Sequence, residues 1–173
     1  MRRFGIAGTV LAALLLLAST AAASNPAFKH GGEPTLTDNG STLTLNSVMT
    51  GLGNGNLDVD IDWNGTTVNN TCTSPGGNVS PGQNPATPVS GGTPATIKPD
   101  KNGNVTITLT TTAPSITALQ AGCPNKNWKA SYTDVVFYSA TVTIAQASTN
   151  FSFSCTANFP PTGTVNQGVY TCT

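Results

Sequence analysis

Asn56-Leu57-Asp58-Val59-Asp60-Ile61-Asp62-Trp63-Asn64 is the stretch on which the fold turns. Apolar and polar residues alternate without a break. In an extended chain successive side chains point to opposite faces, so Leu57, Val59, Ile61 and Trp63 line one face and the aspartates the other. A helix would scatter this set around its whole surface. The stretch therefore predicts a half-buried antiparallel strand. Asn64-Gly65 after it reads as a hairpin turn returning through Val68 towards Cys72.

The same two-residue rhythm recurs outward from this strand. Thr42 to Asn46 places Leu43 and Leu45 on one face, and Asn104 to Thr112 places Val105, Ile107 and Leu109 on one face. Residues 132–146 are rich in Val, Tyr, Phe, Thr and Ile, and Phe151, Phe153 and Cys155 share a face. Ser115 to Leu119 reads as a short strand, and Val169 to Cys172 as a closing one. Asn39-Gly40 and Gly51–Gly55 are turn signals, while residues 24–41 look extended or loose. No apolar stripe of helical period exceeds two turns beyond the N-terminal leader. The pattern predicts an all-β fold: an antiparallel β-sandwich of seven or eight short strands, with an immunoglobulin-like arrangement among the candidates.

One window breaks the rhythm. Residues 73–101 hold six prolines and five glycines and are poor in β-branched apolar residues, Ile97 among the few. They are expected to form a Pro/Gly-rich surface excursion, with a short strand or two, or a linker, as the other readings.

Residues 1–23 have the layout of a secretory signal peptide. Arg2 and Arg3 form a basic start, Ile6 to Ala18 an apolar stretch, and Ala21-Ala22-Ala23 a cleavage site. The apolar run is shorter than the ~20 residues of a spanning helix. Cleavage would leave residues 24–173 as a single secreted domain.

All four cysteines follow the leader. An even count in an exported chain implies two disulfides, and of three possible connectivities we favour Cys72–Cys123 and Cys155–Cys172. No C-x-x-C pair occurs and the lone histidine, His30, is far in sequence from every cysteine, so a zinc site is not expected; His30 lies in the Gly-rich N-terminal segment and reads as an exposed, uncommitted residue rather than the base of a Ser-His-Asp triad.

Composition excludes other classes. The chain carries 7 basic and 7 acidic residues in 173, for a formal charge of +0. No basic cluster exists to meet a nucleic acid. Glu33 is the only glutamate, and no spacing among the aspartates singles out a catalytic pair. An enzyme is not expected.

The candidate sites are few. Asp58, Asp60 and Asp62 form a row of carboxylates about 7 Å apart, which a hard cation such as Ca²⁺ would relieve of repulsion. The alternative reading is a solvated strand face that discourages edge pairing. Trp128 sits in a polar loop and, with Tyr132, could stack on a sugar ring or a partner; the competing reading has Trp128 capping the core beside a disulfide.

In composition the chain resembles small exported β proteins of Gram-positive bacteria and is similar to the apo-chromoproteins of the neocarzinostatin type: an Arg-Arg start, an Ala/Leu-rich leader, then a Thr/Gly/Asn-rich domain with four cysteines. Those proteins have short local bridges, and the wide cysteine spacing here departs from that pattern, so no binding residue carries over. The expectation is a secreted, non-enzymatic binding or cell-surface module whose ligand is a carbohydrate or a protein surface. A structural envelope or matrix component is the alternative, and a calcium-dependent adhesion module a further one.

Overall fold

The computed structural model describes residues 25–159 and 168–173. The expected leader, residues 1–23, lies outside them, as does most of Phe159-Pro160-Pro161-Thr162-Gly163, whose prolines and glycine read as a turn in the sequence. In chain order the strands are β1 Ala27–Phe28, β2 Thr35–Asp38, β3 Leu43–Thr50, β4 Leu57–Val68, β5 Thr71–Thr73, β6 Val79–Pro81, β7 Ala86–Ile97, β8 Val105–Thr110, β9 Lys129–Ser131, β10 Asp134–Gln146, β11 Phe151–Asn158 and β12 Val169–Thr171. One 3₁₀ turn, Ala147–Thr149, joins β10 to β11. The fold is all-β, and every pairing is antiparallel.

Two sheets face each other. One runs β11-β10-β4-β7. In the other, β3 is central: β8 pairs one edge of it, and β2 and β1 pair the opposite edge in succession, with β12 beyond β2. The alternation read from the sequence decides what fills the space between. Leu57, Val59, Ile61 and Trp63 from β4 meet Leu36, Leu43, Leu45, Met49 and Ile107 from the facing sheet, with Val142 and Ile144 of β10 beside them. Aromatic rings bridge the sheets at two places. Phe28 of β1 meets Phe153 of β11 edge-on at 4.7 Å, and Trp63, Phe137, Phe159 and Tyr170 form a chain with centroids 5.2, 5.8 and 4.3 Å apart. Such pairs add to area burial through their ring quadrupoles.

Both disulfides are as expected: Cys72–Cys123 and Cys155–Cys172. The second joins β11 to the segment just after β12, so it ties the two sheets at their edges. In immunoglobulin domains the bridge joins interior strands and the core tryptophan packs on it; here Trp63 packs on Phe137 instead. The first bridge belongs to a small third sheet, β6-β5-β9, with its own apolar cluster of Cys72, Ala118, Ala121 and Cys123.

Three local expectations are corrected. Most of the 73–101 window is strand: β7 pairs with β4 over twelve residues, from Val68↔Ala86 to Leu57↔Ile97. Pro88 and Pro94 fit because β7 is an edge strand. They lie on the alternation opposite to Thr87, whose N–H points back to Thr67 Oγ1 of β4, so their missing N–H groups fall on the open edge. Second, Asn64-Gly65 is no turn; β4 continues to Val68, and the chain reverses at Asn69, which adopts a positive φ of 54°. Third, Ser115 to Leu119 is not a strand but leads into a turn over Thr117–Gly122, closed by Ala121 N–H to Thr117 O and Gly122 N–H to Leu119 O. The N-terminal region, expected to be extended or loose, is extended where it forms β1 and β2.

Candidate functional site

The departure from regular pairing in β10 locates the site. The register with β4 runs Phe137↔Gly65 and then Ser139↔Asn64, leaving Tyr138 as an extra, unpaired residue. A bulge of this kind re-aims a side chain, and bulges gather beside functional sites. Phe137 keeps its inward place at 2% exposure, while Tyr138 turns out and is 45% exposed. Gly65 makes the bulge possible. A Cβ there would lie 2.6 Å from Val136 O and 3.2 Å from Phe137 Cα, closer than packed atoms approach.

Tyr138 stands at a cavity of about 660 Å³ on the outer face of the four-stranded sheet. Asn64 comes from β4, Pro88 and Ser90 from β7, and the far wall is Pro114, Ser115 and Gln120 of the segment that crosses above. That wall is anchored at several points. The Tyr132 hydroxyl donates to Pro114 O at 2.5 Å. Asn84 Nδ2 and Thr87 Oγ1 donate to Gln120 O at 3.0 and 3.1 Å. Cys72–Cys123 closes the chain just beyond. The wall is thus held at both ends before any ligand arrives, which lowers the ordering cost of binding.

A second depression of about 490 Å³ continues from the first, since Asn64 and Ser90 line both. Its floor is low because the neighbouring strands carry small residues there: Gly91 and Gly92 on β7, Ser139 and Thr141 on β10. Gly91 serves the other face as well. A Cβ at that position would meet Trp63 Cζ2 at 2.8 Å, so the indole occupies the space a side chain would need. Asn64 Nδ2 donates to Ser139 Oγ at 2.8 Å across the floor. A third depression of about 260 Å³ lies beside Asp58 and Asp60.

The aspartates share one face as expected. They are not gathered, however: among the described residues no three His, Cys, Asp or Glu side chains come together to hold a metal ion. Asp58 Oδ1 instead accepts from the Thr96 hydroxyl at 3.1 Å, and Asp60 Oδ1 is buried with no hydrogen-bond partner. Trp128 is half-buried and packs against the cluster around Cys72–Cys123, as do Ile116 and Ala130. Tyr132 packs at the margin of the main core, and burial pushes its phenol up from the ordinary value. The two residues belong to different clusters, and neither lines the cavity. Tyr132 reaches it indirectly, through the carbonyl of Pro114. Tyr138 was legible as an aromatic in a strand, but nothing in the residues announced the bulge.

Outside this site, two buried carboxylates lie at one end of the sandwich. Asp38 is 8% exposed and Asp134 5%. Asp38 Oδ1 accepts the Gly40 N–H at 2.8 Å. Burial, with the neighbouring Asp134 charge adding to it, raises Asp38 to about 6 against the pull of that hydrogen bond. The Asp38 charge in turn adds to burial in raising Tyr170.

No protein-family model matches the chain, and neither the curated proteins nor the solved structures show a match to it. Among the described residues no helix is long and apolar enough to cross a membrane.

Proposed function

We propose that this is an exported, non-enzymatic recognition module that binds neutral carbohydrate in the cavity beside Tyr138. The observation that carries the reading is the bulge: it turns one aromatic ring outward into a pre-formed concavity whose other polar walls are Asn64, Ser90, Ser115 and Gln120. Sugars present both apolar C–H faces and hydroxyls that donate and accept. An exposed phenol ring suits the former, and amides and hydroxyls, which also both donate and accept, suit the latter. The two disulfides and the leader-like residues 1–23 support export. The lack of an acid–base pair in the cavity lining supports binding without turnover.

The test is a screen of the purified residue 24–173 protein on a neutral-glycan array, followed by calorimetry with the best binder. Tyr138→Ala is expected to weaken binding by about tenfold or more, because aromatic anchors at binding surfaces are worth ~2 kcal/mol. The ring is exposed, so near-ultraviolet circular dichroism should show the fold intact. Unchanged affinity in Tyr138→Ala would refute the assignment. A protein that retains no neutral glycan but sediments with the cell envelope would favour the structural-component reading instead.

A further inference from the structure

We infer that the site takes not a single sugar or a chain end but a linear, uncharged oligosaccharide lying along β4, from Tyr138 past Asp62 towards Asp58. This rests on the carbohydrate reading of the Tyr138 cavity and extends it.

The argument begins with the height of the strands. On the outer face β4 presents Asp58, Asp60, Asp62 and Asn64 in a row. The partners of Asp62 and Asn64 are Gly92 and Ser90 on β7, and Thr141 and Ser139 on β10. All are short, so the middle strand is flanked by low ground. Rings stand higher at Pro88 and Pro94 on β7, opposite Thr66 and Asp60. The result is an open trough. Asn64 and Ser90 make the Tyr138 cavity and the depression over Asp62 continuous, and the hollow beside Asp58 and Asp60 lies farther along the same strand. From Gly65 to Asp58 the strand covers roughly 23 Å at ~3.3 Å per residue. That is far longer than one sugar ring.

Charge narrows the occupant. No Lys, Arg or His lines any of the three hollows, and Asp58, Asp60 and Asp62 do. An acidic polysaccharide would be repelled along the whole length beyond Asn64. A neutral chain would find hydroxyls at Ser139, Thr141 and Thr143 and carboxylate acceptors for its own hydroxyl donors.

Gly92 provides the test. Its Cβ position meets only the flexible tip of Asp62, at 2.8 Å from Oδ1, so Gly92→Val fills the trough without touching the core, and a β-branched residue suits a strand. Calorimetry would use neutral gluco- and manno-oligosaccharides of one to six units, and oligogalacturonate as the anionic probe. Affinity should rise with chain length to at least three or four units. Gly92→Val should reduce hexamer binding to the level of the shortest ligand that binds, leaving that ligand unaffected. Oligogalacturonate should bind weakly, and Asp62→Asn should strengthen it about fivefold, the size of one like-charge repulsion at ~4 Å in water. Length-independent affinity, or a Gly92→Val protein that binds the hexamer normally, would overturn the extended trough while leaving the Tyr138 cavity in place. Loss of every neutral ligand in wild type would instead remove the carbohydrate reading itself.

Discussion

Acid should stabilise this protein, and Asp38→Asn should abolish that effect. Asp38 ends β2 with 8% of its surface exposed, and no cation is paired with it among the described residues. The groups that face it are Asp134 at the start of β10, Tyr170 on β12 and the Gly40 N–H. Burial raises its carboxyl from 3.8 to about 6. The sign follows from proton binding. The folded carboxyl holds its proton up to about pH 6, whereas the unfolded one releases it near 3.8, so between those values the folded state binds more protons. Stability is therefore highest below about pH 4 and falls as pH rises through 6. At 1.36 kcal/mol per pH unit the full displacement is a ceiling of about 3 kcal/mol. Water reaching one side of the group screens it, and about 1.5 kcal/mol is the expected swing. Asp100, held low by the Asn104 and Asn102 N–H groups, acts in the opposite sense but only near its own lower range. Urea unfolding of residues 24–173 at intervals from pH 4 to 8 measures the effect. Asp38→Asn keeps the acceptor for Gly40 and offers Asp134 a donor, so it should be the more stable protein at pH 7 by about 1 kcal/mol and nearly flat from pH 4.5 to 7. A wild-type curve that is flat over this window, or an Asp38→Asn protein that is weaker at pH 7, would refute the reasoning.

Further expectations concern the frame. Gln146 is fully buried, and its amide holds Gly53 N–H at 2.9 Å, Gly53 O at 3.1 Å and Gly55 O at 2.6 Å; Gln146→Leu should cost about 2–4 kcal/mol in urea unfolding by stranding these groups, and a loss below 1 kcal/mol would show that the loop needs no such latch. Replacing both Cys155 and Cys172 by Ser opens a bridge with a sequence separation of 17, which removes about 3 kcal/mol in the chain-entropy account; an unchanged urea midpoint would mean that the sheet edges hold without it. Gly91→Ala pushes a methyl towards the Trp63 ring, so tryptophan emission should change and stability drop by about 1–3 kcal/mol; an unperturbed spectrum would place the indole elsewhere.

The strands that could be read in advance share one property: one face of each is supplied by residues that are themselves apolar. Over Leu57–Trp63 of β4, in β8 and over Ala140–Ile144 of β10 the inward set is Leu, Val, Ile, Trp or Ala, so the period of two is visible without knowing the partner. β7 hides because its inward set is partly absent by necessity. Gly91 must be glycine for Trp63 to lie over it, and Thr93 follows in the next inward place. Its outward set includes two prolines, which an edge tolerates and an interior strand does not. Edge status is a property of the assembled sheet, so no local window contains it.

The site was hidden for a related reason. Asn-Gly is a strong turn signal when the chain is considered alone, yet Gly65 serves here as the open space that admits the Val136–Phe137 backbone, and so as the condition for the Tyr138 bulge. Two strands distant in sequence share that single feature, and only their pairing shows that glycine in one and an extra aromatic in the other belong to the same device. Substituting Gly65 should therefore test both at once. In Gly65→Ala the methyl would sit 2.6 Å from Val136 O, so β10 must shift. The expected result is loss of Tyr138-dependent ligand binding together with about 1–3 kcal/mol of stability. If Gly65→Ala destabilised the protein but kept full affinity, the bulge would be a feature of the sheet alone and Tyr138 would not owe its placement to it.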